Sequence, residues 1–454
     1  MGTPTSIARA IARWIGDTNA LARPPDVLDK AKTCLRDMIG VAAQAADLPS
    51  SRQAAAYAAA MGGAQATLIG SAQRASVAEA AFANATLAHG LVQEDMHTPS
   101  VSHIGVVVWP ALLALAESRP EHPPFSGRDL IEAGVVGYQV MGRLGQALIT
   151  KALARLFRPT GLIGAVGAAA AGARLLHLSE DETVSALALA ANTAGGLNEW
   201  PHVGGDEMFF HAGHAARNAV TSVLLAKAGA RGSESAFEGR AGLFAAYGGA
   251  PRERLELGGG WEILAVYHKP APACNYAQTP AQAALSLMKK NPLTARDIER
   301  VVVKSFPEAI AYPGCDHAGP YRTLLQAKMS IQFVVAATLV AGRLDDSALR
   351  DFASDGEAAR LARRILLEND AEFAAAYPQR QGAEVVVSTK DGRSYQARLA
   401  ALEPLDAEGV RSRTRAALLR LFGEARTSEI EVEIDAIASS PDAARLARLL
   451  GRSA

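Results

Sequence analysis

The chain has 454 residues, too many for one ordinary hydrophobic core, so we expect at least two domains. Lysine plus arginine equals aspartate plus glutamate, 46 against 46, which leaves no basic excess for phosphates and argues against a nucleic-acid partner. The three cysteines are far apart in sequence and imply neither a CxxC site nor a disulfide framework. Arg9 and Arg13 interrupt the apolar N-terminal segment, so we expect no signal peptide. The longest run of small residues, Gly161 to Leu176, contains Arg174 and is too short and glycine-rich to span a membrane, so we expect a cytoplasmic protein.

The chain up to about Tyr267 has the periodicity of helices. Apolar residues recur there at three- and four-residue spacing, and Ser126, Ser179 and Asp181 stand where helix N-caps are expected. Alanine and glycine crowd several of these helices on more than one face. Such a composition allows helix backbones to pack closely in a large bundle.

The pattern changes near residue 268. Residues 297–306 predict a short strand, and residues 383–399 predict a hairpin with its turn at Asp391-Gly392. Helices are expected between these strands, at TPAQAALSLMKK, AKMSIQFVVAATLVAG and SALRDFASDGEAARLARRILL, and helical periodicity returns after about residue 405. We therefore predict a mainly α protein, with a large all-helical domain (1–268 and 403–454) and a smaller inserted α+β domain (269–402).

One short segment concentrates the titratable side chains. Ionisable groups in an apolar, alanine-rich setting are typical of a cleft, because a packed core would leave them without partners. An apolar run, Val106 to Ala116, follows the segment directly. The titratable residues of the segment are His89, Glu94, Asp95, His97 and His103.

Seven blocks of sequence, in a fixed order over nearly the whole chain, resemble the MmgE/PrpD family, which includes dehydratases, decarboxylases and an epimerase. The blocks are FANATLAHGL with HTPSVSHIG, GYQVMGRLG, FRPTGLIGAVGAAAAGARLLHLS, HAGHAARNAV, SAFEGRAGLFAAYGG, HKPAPACNYAQTPAQAAL and AKMSIQFVVAATLVAG. The resemblance implies a two-domain homodimer with an active site between the domains and no cofactor. It also implies a small carboxylate or carbonyl compound as substrate.

The resemblance carries two functional residues over directly. The family's histidine is His103 and its inter-domain lysine is Lys269. A histidine acts as base or acid near neutral pH, and a lysine does so when burial or a like charge lowers its pKa. Five other family positions hold a different residue type here, namely Val92, Met96, Arg158, Met208 and Phe333.

The remaining candidates lie within the same blocks. His97 adjoins the altered Met96 and is a third catalytic candidate. The substrate-binding candidates are Arg158, whose guanidinium suits a carboxylate, together with His211, Gln93 and Tyr138. The spacing His211-x-x-His214 has no acidic or cysteine residue nearby to complete a metal site, so we expect no metal.

Three functions fit these residues. The first is a cofactor-independent lyase, resembling a dehydratase, that abstracts a proton next to a carboxylate or carbonyl group. The second is an epimerase or isomerase of a dicarboxylate with two opposed bases. The third is a family member that has lost catalysis and acts as a binding or scaffold protein.

Overall fold

A computed structural model describes residues 5–17, 24–118, 123–249 and 255–452. Residues 1–4 of the predicted N-terminal helical segment lie outside them. The protein is 59% helical with only small sheets, so the predicted mainly α fold is confirmed. The chain divides into two compact units: unit 1 comprises Met1–Leu197, Glu207–His268 and Asp406–Ala454, and unit 2 comprises Asn198–Asp206 and Lys269–Leu405. We propose that these units are the two domains expected from the sequence.

Unit 1 consists of helices and two very short antiparallel strand pairs. The strands are β1 (Ala66–Thr67), β2 (Arg74–Ala75), β3 (Met96–His97) and β4 (Val266–Tyr267), paired β1 with β2 and β3 with β4. The helices are α1 (Ile7–Gly16), α2 (Pro25–Gln44), α3 (Pro49–Ala60), α4 (Val77–His89), α5 (Gly105–Ala116), α6 (Gly127–Leu148), α7 (Lys151–Leu156), α8 (Pro159–Leu175), α9 (Glu180–Ala191), α11 (Glu207–Lys227), α12 (Leu243–Ala246), α20 (Ala407–Ala436, broken at Gly423) and α21 (Ala444–Leu449).

Two of the three predicted N-caps are confirmed. Ser126 caps α6 and Ser179 caps α9, each in a capping box with the acidic residue three positions later. The prediction for Asp181 is wrong, because this residue lies inside the first turn of α9. An acidic side chain there still faces the positive end of the helix dipole.

The centre of unit 1 is a close-packed helix core. Every residue of α5 is buried, from Gly105 to Ala116. A Cβ atom on Gly167 of α8 would stand only 2.4 Å from the Cβ atom of Met141 in α6, so these two helix backbones approach closely. The glycine-rich run of α8 therefore serves helix packing, as predicted.

Unit 2 has one four-stranded sheet in the order β6-β5-β7-β8, with helices around it. Its strands are β5 (Ile298–Ser305), β6 (Ile365–Asn369), β7 (Ala383–Thr389) and β8 (Ser394–Leu399). Its helices are α10 (Trp200–Val203), α13 (Gln278–Lys290), α14 (Pro307–Ile310), α15 (Leu324–Met329), α16 (Ile331–Ala341), α17 (Asp346–Leu349), α18 (Glu357–Ala362) and α19 (Ala371–Ala376).

The predicted strand and hairpin are confirmed. β5 lies within residues 297–306, and β7 and β8 form an antiparallel pair with Val386 opposite Gln396. Gly392 in the connecting turn has φ +83, a backbone conformation that favours glycine.

The long helix predicted over residues 347–367 is wrong. The segment forms two short helices, α17 and α18, and its last residues enter β6, which pairs in parallel with β5. Ile365 lies opposite Val301 in that ladder. Hydrogen bonding to β5 and burial of Ile365 outweigh the local helical pattern here.

Among the described residues, no helix is both long enough and apolar enough to cross a membrane.

Candidate active site

The histidine-rich segment forms the loop that joins α4 to α5 in unit 1. β3 anchors the middle of this loop by pairing with β4. Val92 and Val101 have positive φ angles of 57° and 51°. A β-branched residue rarely adopts this conformation, so the surrounding structure holds the loop in a strained shape. Such strain is common where a loop presents functional side chains.

His103 is buried, and the main chain fixes its ring. Its Nδ1 lies 2.9 Å from the carbonyl oxygen of Asp95, and its backbone N–H donates to Thr160 Oγ1 at 3.0 Å. A carbonyl oxygen only accepts hydrogen bonds, so Nδ1 carries the hydrogen and Nε2 carries the lone pair of the neutral ring. His103 therefore has the tautomer in which Nε2 can accept a proton.

Glu94 lies between two histidines. Its Oε1 is 2.7 Å from Nδ1 of His89 and 3.3 Å from Nδ1 of His103. The two imidazole rings have centroids 5.4 Å apart, and all three side chains are buried. An ionised carboxylate in this position orients both rings and stabilises either one in its protonated form. Both acidic residues of the loop contact His103, Glu94 through its side chain and Asp95 through its carbonyl oxygen.

Asp95 supports the loop from inside the core. Its carboxylate accepts hydrogen bonds from the Tyr138 hydroxyl and from the backbone N–H of Gly105 at the start of α5. Burial and the nearby charge of Asp37 raise the pKa of Asp95 to about 6. The Tyr138 hydroxyl in turn accepts from Trp109 Nε1 at 3.2 Å. Tyr138 is fully buried, and its hydroxyl holds Asp95 in place.

A second buried polar cluster, around Asp37 of α2, adjoins Asp95. His268 Nδ1 lies 3.3 Å from Asp37 Oδ2, and Lys30 Nζ lies 3.1 Å from His268 Nε2. Burial favours the protonated carboxyl, but the charges of Arg413 and His268 lower the pKa of Asp37 overall.

His97 has partners on both ring nitrogens. Nε2 lies 2.8 Å from Glu262 Oε2, and Nδ1 lies 2.7 Å from Ser100 Oγ. Glu262 also pairs with Arg143 Nε at 2.7 Å and accepts from Gln146 at 2.6 Å. This arrangement fixes the His97 ring within a buried network, which favours a structural role.

Arg158 and His211 form the positive side of the candidate site. Arg158 is the N-cap residue of α8, is buried, and donates its backbone N–H to Gly196 O at 2.8 Å. His211 lies on α11, where burial, followed by the charges of Arg158 and His89, lowers its pKa to about 3. His211 is therefore neutral near pH 7, and Arg158 is a cation that contributes to its lowered pKa. A Cβ atom on Gly196, whose carbonyl oxygen accepts from Arg158, would stand 3.2 Å from Nδ1 of His211, so Arg158 and His211 lie in one neighbourhood.

Lys269 belongs to unit 2 and is fully buried. Its Nζ donates to Ala273 O at 3.5 Å. The Gln278 side chain fixes the same loop, because it accepts from Ala271 N at 3.1 Å and donates to Ala273 O at 2.9 Å. The loop thus holds the lysine in a defined, buried position.

Comparison with protein families identifies the chain. Residues 9–256 match the MmgE/PrpD N-terminal domain, and residues 271–436 match the MmgE/PrpD C-terminal domain. The chain belongs to the MmgE/PrpD family.

Relatives of this MmgE/PrpD protein include several cis-aconitate decarboxylases. The cis-aconitate decarboxylase-like protein oryM of Aspergillus oryzae is 26% identical over 98% of this chain and 97% of its own length. Cis-aconitate decarboxylase of Mus musculus is 26% identical over 82% of this chain and 78% of its own length. Cis-aconitate decarboxylase of Aspergillus terreus is 25% identical over 94% of this chain and 92% of its own length.

Several of the residues singled out from the sequence of this MmgE/PrpD protein lie together in unit 1. His103 lies in the loop before α5, and Gln93 is buried in the same loop. Arg158 is close enough to His211 for its charge to lower the pKa of that histidine. By contrast, the polar atoms of Tyr138 and His97 are bound within the protein.

Sequence reasoning did not select His89 or Glu94 as site residues, nor did it find the Asp37 cluster. His89 and Glu94 stand inside the densest titratable segment, so their spacing was the available signal. Asp37 lies on a distant helix with the ordinary pattern of an amphipathic segment, and no sequence signal links it to His268. Among the described residues, no three histidine, cysteine, aspartate or glutamate side chains are arranged to hold a metal ion.

Proposed function

We propose that this MmgE/PrpD protein is a lyase that acts on a small carboxylate compound, with proton transfer at the carbon next to a carboxylate or carbonyl group. The observation that carries the proposal is the buried group of His103, Glu94 and His89, with Glu94 Oε1 facing Nδ1 of both rings. A carboxylate behind a histidine fixes its tautomer and stabilises the imidazolium that forms when the ring accepts a proton.

His103 is the proton-transfer group in this proposal. Elimination of water needs a base that removes a proton from carbon, and Nε2 has the lone pair for this step. Loss of carbon dioxide instead leaves an electron pair on carbon, which takes a proton from the imidazolium. One histidine serves either reaction, since it holds or releases the same proton.

Arg158 is the substrate-binding residue in this proposal. A guanidinium grips a carboxylate through two parallel hydrogen bonds, and its charge offsets the negative charge that develops on the substrate. His211 is neutral beside it, because burial and the charge of Arg158 lower the pKa of His211 to about 3. A neutral imidazole offers one donor and one acceptor, which suits a hydroxyl or carboxyl oxygen.

The relatives support a lyase that acts on a carboxylate. Their names state decarboxylation of cis-aconitate, and the resemblance runs over most of the chain. An epimerase needs bases on opposite faces of the reacting carbon, whereas the names of these relatives state a lyase reaction. The relatives therefore favour the lyase. Participation of Lys269, a homodimeric assembly and a cytoplasmic location stay predictions.

The test is an assay of the purified protein against small di- and tricarboxylates, including cis-aconitate. Release of carbon dioxide identifies a decarboxylase, and absorbance of a new alkene without it identifies a dehydratase. Deuterium uptake at carbon without either product would favour the epimerase and contradict the proposal. No turnover and no thermal stabilisation by any carboxylate would contradict the proposal and favour a family member that has lost catalysis and acts as a scaffold protein.

His103→Gln is the deciding variant. We expect kcat to fall by about 100-fold or more, in the range for loss of a general acid or base. His177→Gln is the matched control, since the His177 side chain is 55% exposed. Unchanged turnover in His103→Gln would overturn the assignment of the base.

A further inference from the structure

Two of the three cysteines of the chain are in contact inside unit 2. Sγ of Cys274 lies 3.6 Å from Sγ of Cys315, although 41 positions separate them in sequence. Both side chains are buried, with 4% and 0% of their surface exposed. Both are thiols in the structure. At this distance one S–H group donates to the other sulfur.

The main chain holds both cysteines in place. The backbone N–H of Cys274 donates to Lys328 O at 2.9 Å. The carbonyl oxygen of Cys315 accepts from Ile331 N at 2.9 Å, and its N–H donates to Tyr312 O at 3.0 Å. These bonds attach the two cysteines to α15 and to the start of α16, which are consecutive helices. The contact between the sulfur atoms is therefore a property of the fold.

Cys274 lies in the same loop as Lys269. Ala273, its neighbour in sequence, accepts the hydrogen bond from Lys269 Nζ. The Gln278 side chain joins Ala271 and Ala273 in that loop. A displacement of Cys274 is thus transmitted to the carbonyl oxygen that positions the lysine ammonium group.

We propose that Cys274 and Cys315 are an oxidative modification site, where a peroxide forms a disulfide that fastens the Lys269 loop to the Cys315 segment. Hydrogen peroxide first oxidises one thiol to a sulfenic acid and is reduced to water. The second thiol then attacks that sulfur, the S–S bond forms, and the hydroxyl leaves with a proton as a second water. The disulfide requires the sulfurs to approach to about 2.0 Å, so the loop end shifts or the side chains rotate.

Because both thiols are buried, only a small oxidant is expected to reach them. A small uncharged peroxide enters sites that a charged tripeptide disulfide such as oxidised glutathione does not. Cys34 provides a control within the same molecule, because it belongs to unit 1 whereas Cys274 and Cys315 belong to unit 2, and burial raises the pKa of its thiol well above the ordinary value. We expect Cys34 to stay a thiol under the same treatment.

The primary experiment needs no activity assay. The full chain is treated with hydrogen peroxide, denatured, alkylated and mapped by mass spectrometry without reduction. We expect a cross-linked peptide pair containing Cys274 and Cys315, with Cys34 alkylated, and no mixed disulfide after oxidised glutathione. The variants Cys274→Ser and Cys315→Ser lose the cross-link, whereas Cys34→Ser keeps it. Alkylation of all three cysteines, or sulfinic acids without a cross-link, would overturn the proposal, and the wild-type chain alone decides this.

A second experiment tests the consequence for Lys269, and this part rests on the proposed function together with the prediction that Lys269 takes part in catalysis. Oxidised wild-type protein should lose about 10- to 100-fold in kcat, the cost of misplacing a catalytic group by about 1 Å, and a dithiol reductant should restore it. Cys315→Ser should keep its activity after peroxide. A cross-linked protein with full activity would support the modification site but would show that the disulfide does not affect the role of Lys269. Absence of any turnover would count against the proposed function and not against the cross-link.

Discussion

Glu94 Oε1 lies 2.7 Å from Nδ1 of His89, and the same oxygen lies 3.3 Å from Nδ1 of His103. One carboxylate oxygen therefore serves two imidazoles in a buried setting, where the charge of the carboxylate acts at low dielectric. A positive charge on either ring is stabilised as long as Glu94 is ionised. Removal of that charge without removal of the side chain is the direct test.

Glu94→Gln should lower kcat by about 10- to 100-fold and leave KM nearly unchanged. The amide keeps the size of the side chain and one acceptor oxygen, but it no longer stabilises an imidazolium in the transition state. Steady-state kinetics of the purified variant gives both constants. Glu79→Gln on α4 is the control, since Glu79 lies near the N-terminus of that helix and His89 at its end. A rise in KM with unchanged kcat would instead make Glu94 a substrate-binding residue.

Arg158→Ala should raise KM for a carboxylate substrate by about 10- to 100-fold, which corresponds to about 1.5–3 kcal/mol for a lost hydrogen bond to a charged group. Arg155→Ala is the matched control, because Arg155 is three residues earlier and exposed. Carboxylate-dependent thermal shifts measure the same interaction without turnover. Equal effects of the two substitutions would show that Arg158 does not bind the carboxylate.

The elements that were predictable from sequence are those whose pattern is local. Ser126 and Ser179 cap helices through bonds to residues three positions away, and Gly392 turns a hairpin between adjacent strands. These interactions depend on a few neighbouring residues, so composition and spacing suffice to find them. β6 was missed because its partner β5 lies more than fifty residues away, and only the sheet makes Ile365 part of a strand.

The candidate site follows the same rule. The loop from His89 to His103 was visible as a cluster of titratable residues, since it is continuous in sequence. The position of Glu94 between two histidine rings depends on the strained loop, in which Val92 has a φ of 57°. No rule based on residue spacing predicts this loop conformation. Asp37 can be recognised as part of a polar cluster only from the fold, because α2 brings it next to His268.

Asp95 makes stability depend on pH in one direction. Burial and the charge of Asp37 raise its pKa from 3.8 to about 6 in the folded protein. The folded state then holds more protons than the unfolded state between these values, so stability falls as pH rises through about 6. The free energy of unfolding falls by about 3 kcal/mol in total between the protonated and the ionised form of Asp95.

Asp95→Asn should remove this contribution, because the amide does not titrate. Its oxygen still accepts from the Gly105 N–H, and its NH2 group faces the Tyr138 hydroxyl, whose oxygen can accept. The measurement is urea unfolding of both proteins between pH 4 and pH 7. The free energy of unfolding of the wild type, relative to the variant, should decline across that range. A constant difference between the two proteins would mean that Asp95 titrates normally in the folded state.

His211 should affect the pH dependence of stability in the opposite direction to Asp95. Burial, with the charges of Arg158 and His89, lowers its pKa from 6.5 to about 3, so the unfolded state holds more protons between these values. Its contribution to stability is complete above 6.5 and is lost as pH falls toward 3. His211→Gln should therefore flatten the acid limb of the stability curve, whereas Asp95→Asn steepens it, because each substitution removes one of two opposed terms.

The Arg158→Ala variant separates the effect of burial from the effect of the Arg158 charge on the pKa of His211. Without the guanidinium the imidazole is charged more easily, and its pKa rises toward the ordinary value while burial still holds it below. Titration of the His211 ring by NMR in the wild type and in this variant measures the change directly. A ring that titrates at the same pH in both proteins would show that Arg158 does not face His211, and the positive side of the candidate site would lose its cation.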